Sequence, residues 1–323
     1  MFDIVTGGAG FIGSHLVDAL LEDGRDVRVI DNFSTGTKQN LERYKNDSRL
    51  EVLGVDVSNR EQVFSSCLGA ETVYHLAGKA DIIQSIRNPT SYFDTNVTGT
   101  FNILEEARRA GVHRVVYAAS SSCYGSIERL VNESLAAKAR YPYALTKKMG
   151  EDLVLHWSEV YKIPAVSLRL FNVYGPRSRA NAYGAVFTTF MAQHWAGQPL
   201  TVVGDGTQQR DFVHVRDVAQ AFIKAATGPE GVYNIGSSRP ITINRIAALI
   251  GGDVVKIPKR PGEPDLTWAD ITEAKSKLGW FPTIDIETGI HELLETRAGE
   301  HGKVWTPDAI AFETLDWFKC LEQ

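Results

Sequence analysis

A short apolar segment, Phe2-Asp3-Ile4-Val5, runs into Thr6-Gly7-Gly8-Ala9-Gly10-Phe11-Ile12-Gly13, and a helical pattern follows from about Gly13. Each spaced glycine has its own purpose. Gly7 permits a tight turn, Gly10 lets a pyrophosphate approach the backbone, and Gly13 lets helix pack on strand. The helix start adds unpaired N–H groups and the positive end of a dipole at the same place. Gly24 ends the helix, and the next strand, Asp26-Val27-Arg28-Val29-Ile30, delivers Asp31 where an acid meets an adenosine ribose. An ordinary glycine-rich loop would account for the glycines but not for strand, helix and acid in register. A carboxylate pairs with ribose hydroxyls and repels a 2′-phosphate, and Asn32 follows it rather than an arginine, so the cofactor expected is NAD, not NADP.

The rest of the first half repeats the strand–helix alternation. Glu51–Val55, Thr72–Ala77, Arg114–Ala119 and Ala165–Leu170 read as strands, with helices expected over about Pro89–Ala110 and Tyr143–Tyr161. Buried, continuously apolar strands in such units imply an α/β fold, a doubly wound parallel sheet covered on both faces. Gly10, Asp31, Asp56, Gly78, Ser120 and Asn172 all fall at or just after strand ends, where such sheets bind ligands. At 323 residues, one large or two closely packed domains are expected. The reading is a Rossmann-type domain over 1–175, with a later strand and helix returning from the second half, and a smaller substrate lobe over 176–323. That second half is richer in proline and less regular.

Composition excludes several classes. A net charge of −5 argues against a nucleic-acid surface. Three cysteines without paired spacing fit a reducing compartment, and the eight histidines show no metal-ligand spacing, so no metal is expected. No apolar run approaches transmembrane length and no signal peptide is evident, so a cytoplasmic enzyme is expected.

Tyr143 and Lys147 stand four apart, on one face of the expected helix. An ammonium beside a phenol favours the phenolate, which can take a proton from an alcohol as hydride leaves the same carbon. The same pair also fits a solvated helix face. Ser120-Ser121-Ser122 follows a strand and fits either a substrate contact or a polar loop. His75, His214 and Cys123 read as structural.

Taken together, these features resemble the extended short-chain dehydrogenase/reductases, and within them the nucleotide-sugar epimerases and dehydratases. Further matches run along the chain to about Leu294: His75-Leu76-Ala77-Gly78, Asn96-Val97-Thr98-Gly99-Thr100, Phe171 to Arg177, Arg210 to Val215, Arg260-Pro261-Gly262-Glu263 and Leu278-Gly279-Trp280. The resemblance implies that Gly7, Gly10, Phe11, Ile12, Gly13, Asp31, Asn32, Asp56 and Val57 hold the adenosine diphosphate half of NAD. It places Leu76, Ala77, Gly78, Asn96, Tyr143, Lys147 and Val173 along the rest of the cofactor. Ser120 and Tyr143 would meet the sugar 4-hydroxyl. Asn172, Arg210 and Arg260 would grip the diphosphate of a nucleotide sugar, and Lys79, Ser121, Ser122 and Val186 would complete the substrate side. Either arginine alone also fits a surface salt bridge.

In the 4,6-dehydratases of this family an adjacent Asp and Glu precede the Tyr-Gly pair, where this chain has Ser121-Ser122. No carboxylate appears from Ala118 to Gly125, and decarboxylating relatives also usually carry a Glu there. The expectation is therefore C4 epimerisation through a transient 4-keto sugar. Cys123, Lys79, Asp81 and the Asn181–Phe187 stretch depart from the common epimerase form. They resemble a subgroup of surface-polysaccharide sugar enzymes, some acting on GDP-heptoses and stopping at the ketone, so a C4 dehydrogenase is the second reading. A non-catalytic NAD sensor would be expected to have lost Tyr143 or Lys147. By resemblance, a homodimer through a four-helix bundle is expected. The aromatic tail, Lys303 to Phe318, reads as a packed helix without an assigned role.

Overall fold

The computed structural model describes residues 1–178, 185–259, 263–298 and 302–321, with side chains up to residue 316. Seven strands form one sheet: β1 (Phe2–Thr6), β2 (Val27–Asp31), β3 (Leu50–Gly54), β4 (Ala70–His75), β5 (Arg114–Ser120), β6 (Ala165–Leu170) and β7 (Gly231–Ile235). Their order is β7-β6-β5-β4-β1-β2-β3, and every pairing is parallel. The order reverses at β1, so the crevice beyond the carboxyl ends of β1 and β4 is the switch point where such sheets bind ligands.

Successive strand residues face opposite ways, and the apolar runs therefore fill two layers. On one face Val5, Val29, Val116 and Leu168 pack with α1 (Phe11–Glu22) and with the helix Val215–Thr227. On the other, Ile4, Ile30, Val115 and Tyr117 pack with α2 (Gly99–Ala110) and α3 (Pro142–Tyr161). The doubly wound sheet is as expected. One strand departs from the expectation of full burial: β3 lies at the sheet edge, and Val52 is 40% exposed because it has one neighbour instead of two.

The expected helix over Pro89–Ala110 forms as one run with a wide turn inside it. Pro89 opens it behind the Asn88 cap, a π turn covers Asp94–Thr98, and α2 completes it. The extra residue in that turn accompanies the inward placement of Asn96, which is 1% exposed. Close approach also fixes α3: a Cβ on Gly150 would lie 2.3 Å from the Tyr117 hydroxyl.

From Asn172 onward the chain builds a second layer over the strand ends. Strands Leu200–Val203 and Val254–Ile257 pair in parallel, and the helices Val186–Trp195, Ile243–Ile250 and Ile286–Glu295 surround a core of Tyr174, Phe187, Phe190, Leu200 and Ile246. Between its parts, the helix Val215–Thr227 and β7 return to the sheet.

The glycine turn is the tightest joint. A Cβ on Gly13 would sit 2.2 Å from the Gly7 carbonyl oxygen, a backbone atom that cannot rotate away. Gly13→Ala is expected to cost about 2–3 kcal/mol of stability and to weaken dinucleotide binding, measured by chemical denaturation and by titration with NAD.

Candidate functional site

A single cavity of about 670 Å³ runs along the carboxyl ends of the strands, between the sheet and the second layer. That size suits bound small molecules rather than a lone ion. Gly7, Gly10, Phe11, Ile12 and Gly13 line one end with Asp31, Asn32 and Val57; Leu76, Ala77, Gly78 and Lys79 lie farther along. Ser120, Ser121, Ser122, Tyr143, Lys147, Asn172, Val173, Val186 and Arg210 line the same cavity. Residues drawn from across some two hundred positions of sequence are thus brought to one place by the shared direction of the strands.

Asp31 is held from two sides. Its carboxylate accepts the Ala9 N–H at 3.0 Å and the Phe33 N–H at 2.7 Å, so it is oriented by the glycine turn itself. Burial pushes its pKa up and these two donors oppose the shift. The cradle fits a dinucleotide. Gly7 turns at φ +69, where its Cβ would meet the Ala77 nitrogen at 2.8 Å, and the N–H groups opening α1 face the cavity end.

Two further expected cofactor residues, Asp56 and Asn96, hold residues of the cavity wall in place. Asp56 accepts from Asn32 Nδ2 at 2.9 Å and from the Ser58 N–H and hydroxyl, which fixes the turn carrying Val57. Asn96 accepts the Lys79 N–H at 2.7 Å and donates to the Lys79 carbonyl at 3.1 Å. It also donates to Thr146 on α3, so one amide ties the Gly78–Lys79 turn to the helix bearing Tyr143. Arg260 lies outside the described residues, as does Asn181–Gly184.

His75 is structural, as read from its apolar strand. Thr6 Oγ1 accepts the N–H groups of Leu76 and Ala77, leaving its own proton for His75 Nδ1 at 2.7 Å. Thr100 donates to the Asn96 carbonyl, so its oxygen accepts from His75 Nε2 at 3.0 Å. This network defines one neutral tautomer, and burial pushes the imidazole down to about 3. Nothing in the glycine motif pointed to Thr6, whose hydroxyl is recognisable only once β1 and β4 are adjacent.

At the centre, Tyr143 donates to Ser120 Oγ at 3.2 Å, and Ser120 Oγ lies 2.8 Å from Ser122 Oγ. The Lys147 ammonium stands 4.3 Å from the Tyr117 ring centroid, over its face. Burial pushes Tyr143 up, and the hydrogen bonds to Ser120 and Ser122 oppose that; Lys147 is itself driven down to about 7 by burial against the pull of Glu151. Below them a buried ion pair anchors α3: Arg169 Nη2 to Glu151 Oε1 is 2.6 Å. Arg169 also donates to Tyr124, and Ser167 donates to Glu151.

Arg210 is 8% exposed and pairs with Glu263 at 3.0 Å. Asn172 Nδ2 donates to the Asp211 carbonyl and to Thr267. Asp81, Ile82, Ile83, Tyr141, Phe190 and Glu263 also line the cavity; no motif had marked Ile82, Ile83, Tyr141 or Phe190 as wall residues.

Two outcomes test this geometry. Lys147 has an ordinary value of 10.5 and about 7 in the fold. Between these limits the unfolded chain holds a proton that the folded one lacks, so this residue makes stability rise with pH across that window. Lys147→Met should flatten the rise, seen as Tm of the cofactor-free protein from neutral pH upward. Asp31→Ser should shift the NAD-to-NADP affinity ratio toward NADP by about tenfold or more, read by titration calorimetry, because it removes the charge that repels a 2′-phosphate.

Among known proteins, a 4–236 segment matches the model of the NAD dependent epimerase/dehydratase family. Over 307 residues the chain is 32% identical to a UDP-glucose 4-epimerase of Mycolicibacterium smegmatis, spanning 91% of this chain and 98% of that one. It is 34% identical over 300 residues to UDP-glucuronic acid decarboxylase 4 of Arabidopsis thaliana, spanning 89% of this chain and 66% of the relative. The crystal structure of UDP-glucuronic acid 4-epimerase from Bacillus cereus, in complex with UDP-glucuronic acid and NAD, superposes with a TM-score of 0.86 at 31% identity. That match covers 92% of this chain and 99% of the other. The glycine cradle, the oriented Asp31 and these matches agree: this chain is an NAD-using member of the NAD-dependent epimerase/dehydratase family, of the extended short-chain dehydrogenase/reductase type.

Proposed function

We propose that the chain is a C4 epimerase of a nucleotide-diphosphate sugar, working through a transient 4-keto sugar. The observation that carries this reading is the hydroxyl cluster Tyr143–Ser120–Ser122 in the cavity wall, where an eliminating enzyme would need carboxylates. Ser121 and Ser122 are too weakly acidic or basic to remove a C5 proton and expel a C6 hydroxyl. Of the carboxylates that do line the cavity, Asp31 is tied to the glycine turn, Asp81 caps the Ile82–Arg87 helix through the Gln84 N–H, and Glu263 pairs with Arg210.

NAD, when bound, supplies a hydride acceptor that can return the hydride. Tyr143 takes the proton of the sugar 4-hydroxyl and later gives it back, so the step is neutral over a cycle. Ser120 accepts from the Tyr143 hydroxyl and orients it toward the sugar. Lys147 lies between Gly78 and the Tyr117 ring, and a proton held there favours the phenolate. Arg210, freed from Glu263, offers a planar guanidinium to a diphosphate, with Asn172 and Arg260 as its partners. Firm binding of the nucleotide would leave the sugar free to turn and present its other face. The named relatives act on UDP sugars, so UDP sugars head the substrate panel.

Phe93 together with Leu145, Val160 and Tyr161 on α3 are exposed apolar side chains on the two long helices. Their exposure supports a homodimer in which these helices meet those of a second copy.

Tyr143→Phe is expected to lower kcat by about 10²–10⁴-fold while NAD stays bound. Anaerobic turnover of a UDP-, GDP-, CDP- and dTDP-sugar panel, followed by NMR and by reduced-nicotinamide absorbance, identifies the reaction. A C4-inverted product without net absorbance supports the epimerase. One equivalent of reduced nicotinamide with a 4-keto product replaces it with the dehydrogenase, and unchanged biological activity in Tyr143→Phe would favour a sensor.

A further inference from the structure

The family resemblance ends near Leu294, yet the chain continues into a helix, Pro307–Leu321, that docks on the cavity wall. Its first point of attachment is the helix Ile82–Arg87, between β4 and β5. Arg87, at the end of the Ile82–Arg87 helix, donates to Glu313 Oε1 and Asp316 Oδ2, each at 2.6 Å, and to the Glu313 carbonyl at 2.9 Å. Gln84 adds a bond to Glu313 at 3.0 Å. Its second point is on the substrate layer. Gln193 donates to the Trp305 carbonyl at 2.6 Å, and the same amide holds the Thr201 hydroxyl and N–H. Between the two points, Trp305 and Ile310 join Ile83, Ile257, Ile82 and Val203 in one apolar cluster.

Ile82 and Ile83 enter the cavity wall from the segment between β4 and β5, and Thr201 and Val203 enter it from the second layer. The tail therefore touches the back of both walls at once. From this geometry we infer that the tail segment Trp305–Asp316 is a brace that fixes the width of the cavity between its two walls and so tunes binding of the sugar. This inference rests on the proposed reading of the cavity as a nucleotide-sugar site. Arg87, Glu313 and Gln193 act as positioning residues: they hold wall residues in place and do not line the cavity. An arginine sharing two carboxylates suits such a joint, because its planar fork fixes direction as well as distance.

The test uses the full-length, NAD-loaded protein. Arg87→Glu repels both carboxylates; Arg87→Glu with Glu313→Arg and Asp316→Arg restores opposite charges. Hydrogen exchange of residues 79–88 and 302–316, without substrate, reads the brace directly. Arg87→Glu should speed exchange in both segments together, and the charge-swapped variant should reverse it. With the sugar turned over by the parent protein, Arg87→Glu should raise KM about fivefold or more, with kcat changed less than about twofold, and the swap should recover most of the loss. Unchanged exchange, or faster exchange in the tail alone, overturns the brace. Faster exchange in both segments with an unchanged KM overturns its role in sugar binding. If no nucleotide sugar is turned over, the proposed reaction fails, while the exchange experiment still decides whether the tail holds the wall.

Discussion

The site depends on holding one helix against one strand. Tyr143 and Lys147 ride on α3, and Ser120 ends β5; nothing in either element alone sets their separation. Two contacts do. The missing side chain of Gly150 lets α3 approach the Tyr117 hydroxyl, and the buried Glu151–Arg169 pair clamps the helix to β6 one turn beyond Lys147. Burying two charges is costly, and removing one partner leaves the other stranded, which typically costs about 3–5 kcal/mol. A pair of this kind gives up stability in exchange for a defined position. Its other bonds, to Tyr124 and Ser167, satisfy the remaining polar atoms.

The same logic repeats around the cavity at smaller scale. Polar side chains around the cavity orient others that line it. Asn96 grips both backbone groups of Lys79, Thr6 gathers two amides of the following turn, and Asp56 holds Asn32. Asn96 and Thr6 thereby bond backbone groups of the turns they hold. The π turn within the Pro89–Ala110 run belongs to this set, since Asn96 sits in it.

Much of this was legible from residue order. The glycine spacing and the acid ending β2 named a dinucleotide cradle, because both act through local backbone geometry. Strand identities followed from apolar runs, and Ala165–Leu170 was placed to the residue. The long helix from Pro89 was legible as well, though not the wide turn within it. What was not legible depends on long-range adjacency. The hydrogen bonds by which Asp56 and Asn96 hold wall residues join segments far apart in sequence, which spacing does not show. The exposure of β3 follows from its place at the sheet edge, and the apolar content of Glu51–Val55 does not reveal that place. The upward push on Tyr143 was not legible either, since it comes from burial, which outweighs the hydrogen bonds to Ser120 and Ser122. Ile83, Tyr141 and Phe190 entered the wall from positions with no motif reading of that kind.

β7 and the helix Val215–Thr227 interrupt the second layer to complete the sheet. This has a consequence for how such an enzyme can be altered. The substrate-facing portion is not a contiguous cassette, so a recombinant that exchanged everything after residue 175 would also replace the outermost strand beside β6 and the helix that packs on α1. Laboratory chimaeras, and natural recombination alike, would have to match foreign and native packing inside the sheet before any new sugar preference could be expressed. Change by point substitution in the walls is the easier route, because it leaves that interleaving untouched.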